Sequence, residues 1–149
     1  SRMPADDPLA GLPHGPQFRF IDTLRVTEPG VAAVATYTVP GVDQLPLLAG
    51  HFPGRPLLPG VLYAEAIAQA AGALASAESA PESGSRLLLA GVQQLKVLAP
   101  ATPGRQLEIR VRILGRLERL VQAGGEITSR GEKLASARIT LGESRGRDE

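Results

Sequence analysis

Residues 61–77 read VLYAEAIAQAAGALASA, and the reading of this stretch decides the fold. It has no proline, and its alanines, leucines, isoleucine and glutamine are good or tolerated helix formers. Pro59-Gly60 marks an entrance just ahead of it. The composition predicts one helix over 61–77. Val61, Leu62, Ala64, Ile67, Ala68, Ala71 and Leu74 fall on nearly every side of it, and a helix that is apolar all round is a buried one. Its small alanines permit close approach to a sheet. Glu65 does not fit this company. The residues one turn away are Val61, Leu62, Ala68 and Gln69, and no lysine or arginine lies on the helix to pair with it.

Outward from the helix the signals change to strands. Residues 18–26 (FRFIDTLRV) and 31–39 (VAAVATYTV) read as a hairpin about the turn 27–30 (TEPG). Residues 40–60 are rich in proline and glycine, which excludes a regular helix or a central strand. Beyond the helix, 78–85 (ESAPESGS) reads as an exposed loop and 86–97 as a strand. A turn at 101–106 (ATPGRQ) leads into 106–114, where Leu107, Ile109, Val111 and Ile113 alternate with Glu108, Arg110 and Arg112. That is the period of a half-buried antiparallel strand. Residues 119–129 and 133–141 form a hairpin around Arg130-Gly131. The order is two strands, one long helix, then three or four strands: an α+β pattern with helix and sheet segregated. A lone helix is buried all round only if the sheet curls about it or a second subunit covers it, so dimerisation is expected.

The chain has 149 residues, enough for one domain. We expect a loose leader over 1–11 (with Ser1-Arg2 before Met3 reading as a cloning remnant), a domain over 12–141, and a frayed polar tail over 142–149. Hydrophobic residues make up 43% and aromatics 3%, so the core is built of Leu, Val, Ile and Ala. A formal net charge of +1 argues against a dedicated nucleic-acid binder. Almost all the positive charge is arginine, suited to bidentate contacts with phosphate or carboxylate, although genome composition produces the same bias. There is no cysteine, which excludes disulfides, thiolate metal sites and cysteine nucleophiles. No apolar run approaches the roughly 20 residues of a membrane span, and nothing at the start reads as a signal peptide. A cytoplasmic protein without membrane or nucleic-acid partners is expected.

Chemistry concentrates in residues 50–69, GHFPGRPLLPGVLYAEAIAQ. A buried, unpaired carboxylate is costly, and such groups escape the cost by holding a proton. A neutral acid poised in this way is a general acid. His51 is the natural partner, able to act as a neutral base near pH 7. Gly60 offers no side chain to block approach, and its N–H lies at the positive end of the helix dipole, a donor for a carbonyl oxygen gaining charge. A base, an acid and an oxyanion donor suit proton abstraction beside a carbonyl with loss of a β-hydroxyl. Hydrolysis fits the same three groups.

The same stretch resembles the signature of the 3-hydroxyacyl-acyl-carrier-protein dehydratases of fatty-acid synthesis, enzymes of the hot-dog fold. Their pattern G-H-F-P-x-x-P-x-x-P-G-V followed by E-x-x-A-Q is complete here, from Gly50 to Gln69. LPHGPQFRFID (12–22) and LLLAGVQQLKVLAPATPGRQL (87–107) resemble further parts of that family. The resemblance implies an antiparallel sheet wrapped around one long central helix. It implies that His51 removes the α-proton of a (3R)-3-hydroxyacyl thioester, that Glu65 protonates the departing hydroxyl, that the Gly60 N–H polarises the carbonyl and that Gln69 orients Glu65 or its water. Phe52 and Val61 join Gly60 and Gln69 as substrate-binding residues. No metal or cofactor is implied beyond the phosphopantetheine of the acyl carrier protein, the expected partner. In the family the histidine and glutamate of one site come from two subunits, so a homodimer with shared sites is expected, and three dimers make a hexamer. Arg110, Arg112 and Arg116 are available to an acidic partner, but a solvated strand face explains them first.

Some residues depart from the pattern. His14, which reads as structural, is followed by Gly15, Pro16 and Gln17, without the tyrosine that gates the acyl tunnel in relatives. Val97-Leu98-Ala99-Pro100 lacks the usual basic residue before proline. The catalytic set is intact, so these changes bear on chain length and pathway: a dehydratase of a polyketide or other secondary pathway is the alternative. Aspartate in place of Glu65 marks the relatives that also isomerise the double bond. A hot-dog thioesterase ranks lower because it lacks the G-H-F-P segment, an enoyl hydratase because D-x-N-x-H is missing, and a scaffold because it has no need to bury an acid.

Overall fold

A computed structural model of the protein describes residues 20–40, 60–78 and 85–145. The chain runs β1 (Thr23–Glu28), β2 (Ala32–Thr38), α1 (Gly60–Glu78), β3 (Ser85–Val97), β4 (Gln106–Leu117), β5 (Leu120–Ser129) and β6 (Glu132–Arg145). The strands form one antiparallel sheet in the order β1-β2-β4-β5-β6-β3. Helix α1 crosses its inner face and touches all six strands. The expected helix, segregation and strand order are all present, with four strands after the helix. The Pro/Gly-rich segment expected to be irregular, the loop after the helix and the leader lie largely outside the described residues.

The turns follow from their residues. At Glu28–Val31, Pro29 precedes Gly30 at φ 72°, and the Val31 N–H donates to Glu28 O at 2.9 Å, a type II turn. Arg130 and Gly131 alone join β5 to β6, both with positive φ (53° and 81°), as a two-residue type I′ hairpin requires.

Two boundaries differ most from the sequence reading. The first strand begins at Thr23, not at residue 18. Phe20 and Ile21 are core residues, and the Phe20 N–H donates to the Gln69 side chain instead of to a neighbouring strand. β6 continues to Arg145, into the stretch expected to fray. Its polar residues are held by backbone pairing with β3, from Gly142↔Leu88 to Arg145↔Ser85.

The helix is buried on all sides within one chain. Between Tyr63 and Ala75 every residue except Glu65 is buried. Facing it are Ala33, Ala35 and Tyr37 of β2, Leu107, Ile109 and Val111 of β4, and their counterparts on β5 and β6. Of the two solutions posed by the sequence, the curled sheet is the one adopted, so helix burial is not itself an argument for a dimer. The close approach has a specific cause at Gly125. A Cβ there would lie 2.7 Å from Ile67 Cγ2 and 3.2 Å from the Arg110 carbonyl oxygen. Only a missing side chain lets Ile67 seat against β5.

The sheet leaves one region uncovered. Val92, Leu95 and Val97 of the edge strand β3 pair with Ile139, Ala137 and Ala135 and so face the helix side. They are nevertheless 42%, 38% and 47% exposed, while those partners are buried.

Tyr37 and Tyr63 are the protein's two tyrosines, and both lie in the core. Tyr37 packs edge-to-face on Phe20 with ring centroids 6.0 Å apart. The Tyr63 hydroxyl donates to Ala99 O at 3.0 Å. Burial pushes both phenols from 10.0 up to about 12; Asp22 adds to the rise at Tyr37, and Arg105 opposes it at Tyr63.

Two outcomes follow. Gly125→Ala is expected to lower stability by about 1–3 kcal/mol through overpacking. Adding Ile67→Ala to it should cost less than the sum of the two single changes in thermal unfolding, because the residues share one contact; strict additivity contradicts the close-approach argument. In alkaline titration, a phenol whose folded pKa is raised lends stability that is complete below its unfolded value and is lost as pH rises through the folded one. Tyrosinate absorbance should therefore show no step near 10 in the native protein and should rise toward about 12 together with loss of structure.

Candidate active site

The site is built on the first three turns of α1. Gly60 opens the helix, where geometry leaves the leading N–H groups without acceptors inside the helix. No acidic side chain lies in the first turn to neutralise the positive end of the dipole. Gly60 also packs against the end of the edge strand: a Cβ on it would meet Val97 Cγ2 at 3.0 Å. Tyr63, bonded to Ala99 O, ties the first turn to the segment that leaves β3. That segment is itself fixed by Leu98 N–H and Ala99 N–H, which both donate to Leu134 O at 2.7 and 3.2 Å.

Glu65 lies roughly 7.5 Å further along the axis. It is half-buried, between fully buried Ala64 and Ala66. The sequence portrays it as buried and unpaired; in the fold it has a partner one turn on. Gln69 Nε2 donates to Glu65 Oε2 at 3.3 Å. Gln69 is 2% exposed, and its Oε1 accepts the Phe20 N–H at 2.7 Å. These contacts fix the amide's orientation: a backbone donor demands the oxygen on one side, which turns the NH₂ toward Glu65. A neutral amide donor holds a carboxyl in place without setting a full positive charge beside it, as an arginine would.

Phe20 is the residue the sequence reading missed. It supplies the backbone donor behind Gln69 while its ring packs on Tyr37. Two residues on, Asp22 accepts the Thr38 N–H at 2.7 Å and holds the far end of β2. The Phe-Ile-Asp of the opening motif thus serves as a frame for the site. The only available signal was its position in that motif.

Of the predicted site residues, the fold brings Gly60, Glu65 and Gln69 together on one helix. His51 and Phe52 lie outside the described residues, as does His14; Val61 is described only as part of the helix backbone. Arg110 and Arg112 are exposed on β4, where Arg110 pairs with Glu108 at 3.3 Å. Arg116 is exposed near the β4–β5 turn.

Comparison with known proteins sets this geometry in a family. Residues 12–138 match the family model of the FabA-like domain. The chain is 35% identical over 129 residues to the 3-hydroxyacyl-[acyl-carrier-protein] dehydratase FabZ of Anaeromyxobacter sp. (strain Fw109-5), covering 85% of this chain and 80% of that protein. It is 38% identical over 109 residues to the enzyme of the same name from Herpetosiphon aurantiacus, covering 73% of this chain and 75% of the relative. Among solved structures, the dehydratase heterocomplex ApeI:P from Xenorhabdus doucetiae superposes with a TM-score of 0.72 at 22% identity, over 97% of this chain and 93% of that one. The E. coli PaaI protein superposes with a TM-score of 0.58 at 16% identity, over 80% and 82%. At those identities the structural likeness speaks for the fold alone, and it is the hot-dog fold expected from the sequence. The sequence matches go further: the chain belongs to the FabA-like, hot-dog family of 3-hydroxyacyl-acyl-carrier-protein dehydratases.

Proposed function

We propose that this protein removes water from (3R)-3-hydroxyacyl thioesters of acyl carrier protein to give trans-2-enoyl thioesters, in cytoplasmic fatty-acid biosynthesis. The observation that carries the reading is the carboxyl of Glu65, held by the Gln69 amide in an apolar helix just inside an N-terminus with no acidic residue in its first turn. In this scheme His51 takes the α-proton, and the C–H electron pair becomes the new C=C bond as the C3–O bond breaks. Glu65 gives its proton to the departing hydroxyl, which leaves as water. The Gly60 N–H accommodates charge developing on the thioester oxygen. His51 ends protonated and Glu65 ionised, and return of one proton resets the pair without redox change. Phe52 and Val61 would flank the acyl chain, and Gln69 keeps Glu65 aimed. No cofactor is required beyond the phosphopantetheine that carries the substrate.

The working unit in this proposal is a homodimer sharing its sites, with three dimers forming a hexamer. What supports the dimer is the edge strand. β3 is 13 residues long, and an open edge of that length is a template for pairing. Its Val92, Leu95 and Val97 lie exposed on the helix side, beside the Gly60 end of the site. A second copy along β3 would bury them and reach the region where His51 of one chain is needed by Glu65 of the other.

The test is turnover of a 3-hydroxyacyl-carrier protein followed by enoyl absorbance. His51→Ala and Glu65→Gln are each expected to lower kcat/KM by about 10²–10⁴-fold. Mixing the two inactive variants under subunit exchange should restore part of the activity, because one heterodimer site then holds both intact groups. Full activity in either single variant removes the residue assignment, and release of free thiol instead of enoyl product marks a thioesterase. A protein that stays monomeric while active removes the shared site.

A further inference from the structure

The sheet's outer face, turned away from α1, carries an open groove of about 740 Å³ that the dehydratase chemistry does not use. Cross-strand pairing orders its side chains in rows. One row runs Ala32, Arg112, Gly124, Arg138, Gln94 across β2, β4, β5, β6 and β3. The next runs Val34, Arg110, Glu126, Ser136, Lys96. The floor is low because Ala32, Gly124 and Ser136 carry little or no side chain. The volume falls within the roughly 300–1,000 Å³ of small-molecule sites.

The charge in this groove is not that of an ordinary solvated face. The whole chain has a formal net charge of +1. The described residues lining the groove hold five cations against a single carboxylate, Glu126. Two of those cations have counterions: Lys133 pairs with Glu126 at 3.4 Å and Arg110 with Glu108 at 3.3 Å. Arg112, Arg138 and Lys96 have no ion-pair partner among the described residues. Arg112 and Arg138 stand two strands apart, about 10 Å between Cα atoms, with Gly124 between them. Guanidinium side chains at that spacing can converge above the strand between them, where Gly124 contributes no side chain and the Leu114 side chain reaches in from one side. Without an anion there they face like charge across the gap; a phosphate group would accept a fork from each. Leu114, whose Cδ1 lies 3.5 Å from where a Gly124 Cβ would be, forms an apolar lip beside that point.

We infer that the outer face carries a second binding site, for a phosphate-bearing small ligand of about nucleotide size, with a phosphate seated over Gly124 between Arg112 and Arg138. Lys96 and the Ser136 hydroxyl stand in the adjoining row to receive a second phosphate or a sugar hydroxyl. The site is independent of the reaction proposed above and is read without it.

The experiment is titration of the full chain with inorganic pyrophosphate and, separately, ADP, followed by calorimetry and by the Gly124 and Gly125 amide resonances. Saturable binding with shifts at those two amides is expected for at least one probe. Arg112→Gln and Arg138→Gln should each weaken it at least about tenfold. Arg116→Gln, outside the groove, should not, and thermal unfolding should be unchanged in all three variants. Pyrophosphate binding as tightly as ADP identifies the phosphate alone as what is recognised; tighter ADP binding identifies a nucleotide-like ligand. Failure of both probes to bind at millimolar concentration overturns the site, as does binding that both arginine variants leave intact. Dehydratase activity does not enter the readout, so the two assignments stand or fall separately.

Discussion

One constraint organises the molecule: a single 19-residue helix has to be buried on every side by one sheet. Burial of a helix normally uses one stripe, with the polar remainder left to water. Here nearly all of α1 faces protein, so the sheet has to curl and approach closely. Small residues make that possible on both partners. Alanines line the helix, and β5 gives up a side chain at Gly125 where Ile67 arrives. Ile67, Leu74, Ile109, Ile127 and Ile139 are all fully buried as a result, each burial worth about 1.5–3 kcal/mol.

The candidate site is the one exception that this packing tolerates. A carboxyl in the second turn of such a helix needs a polar neighbour, and the helix can supply one only three or four residues away. Gln69 is that neighbour, and its own buried amide oxygen accepts the Phe20 backbone N–H. The chain Phe20 N–H, Gln69, Glu65 therefore transfers the problem from a side chain on the helix to a main-chain donor just before β1. This also explains why the first strand starts late. Phe20 cannot pair in the sheet while its N–H serves the helix.

What was legible in the sequence was what depends on period. Alternation through 106–114 identified β4 and its inner face, and the apolar surround identified α1. Reading failed where backbone, not side chains, decides. Residues 142–145 look like a tail because they are polar, yet a strand edge asks only for N–H and C=O groups in register. Phe20 and Ile21 look like part of a strand because they are apolar, yet they plug the core ahead of β1. The Phe20–Gln69 contact spans 49 residues and has no local signature. The motif located Glu65 and Gln69, but their mutual hydrogen bond and the frame behind it required the fold.

The adjacent glycines of β5 show how one strand serves two surfaces. Successive strand residues point to opposite faces, so Gly124 and Gly125 cannot have the same reason for lacking a side chain. Gly125 faces inward and admits Ile67. Gly124 faces outward, lies between Arg112 and Arg138, and has no packing duty toward the helix at all. A glycine in the middle of a strand costs conformational entropy and forgoes cross-strand packing. At Gly125 the seated helix offsets that cost within the chain. At Gly124 the missing side chain instead leaves room on the outer face, shared between the Leu114 side chain and the gap between the two arginines.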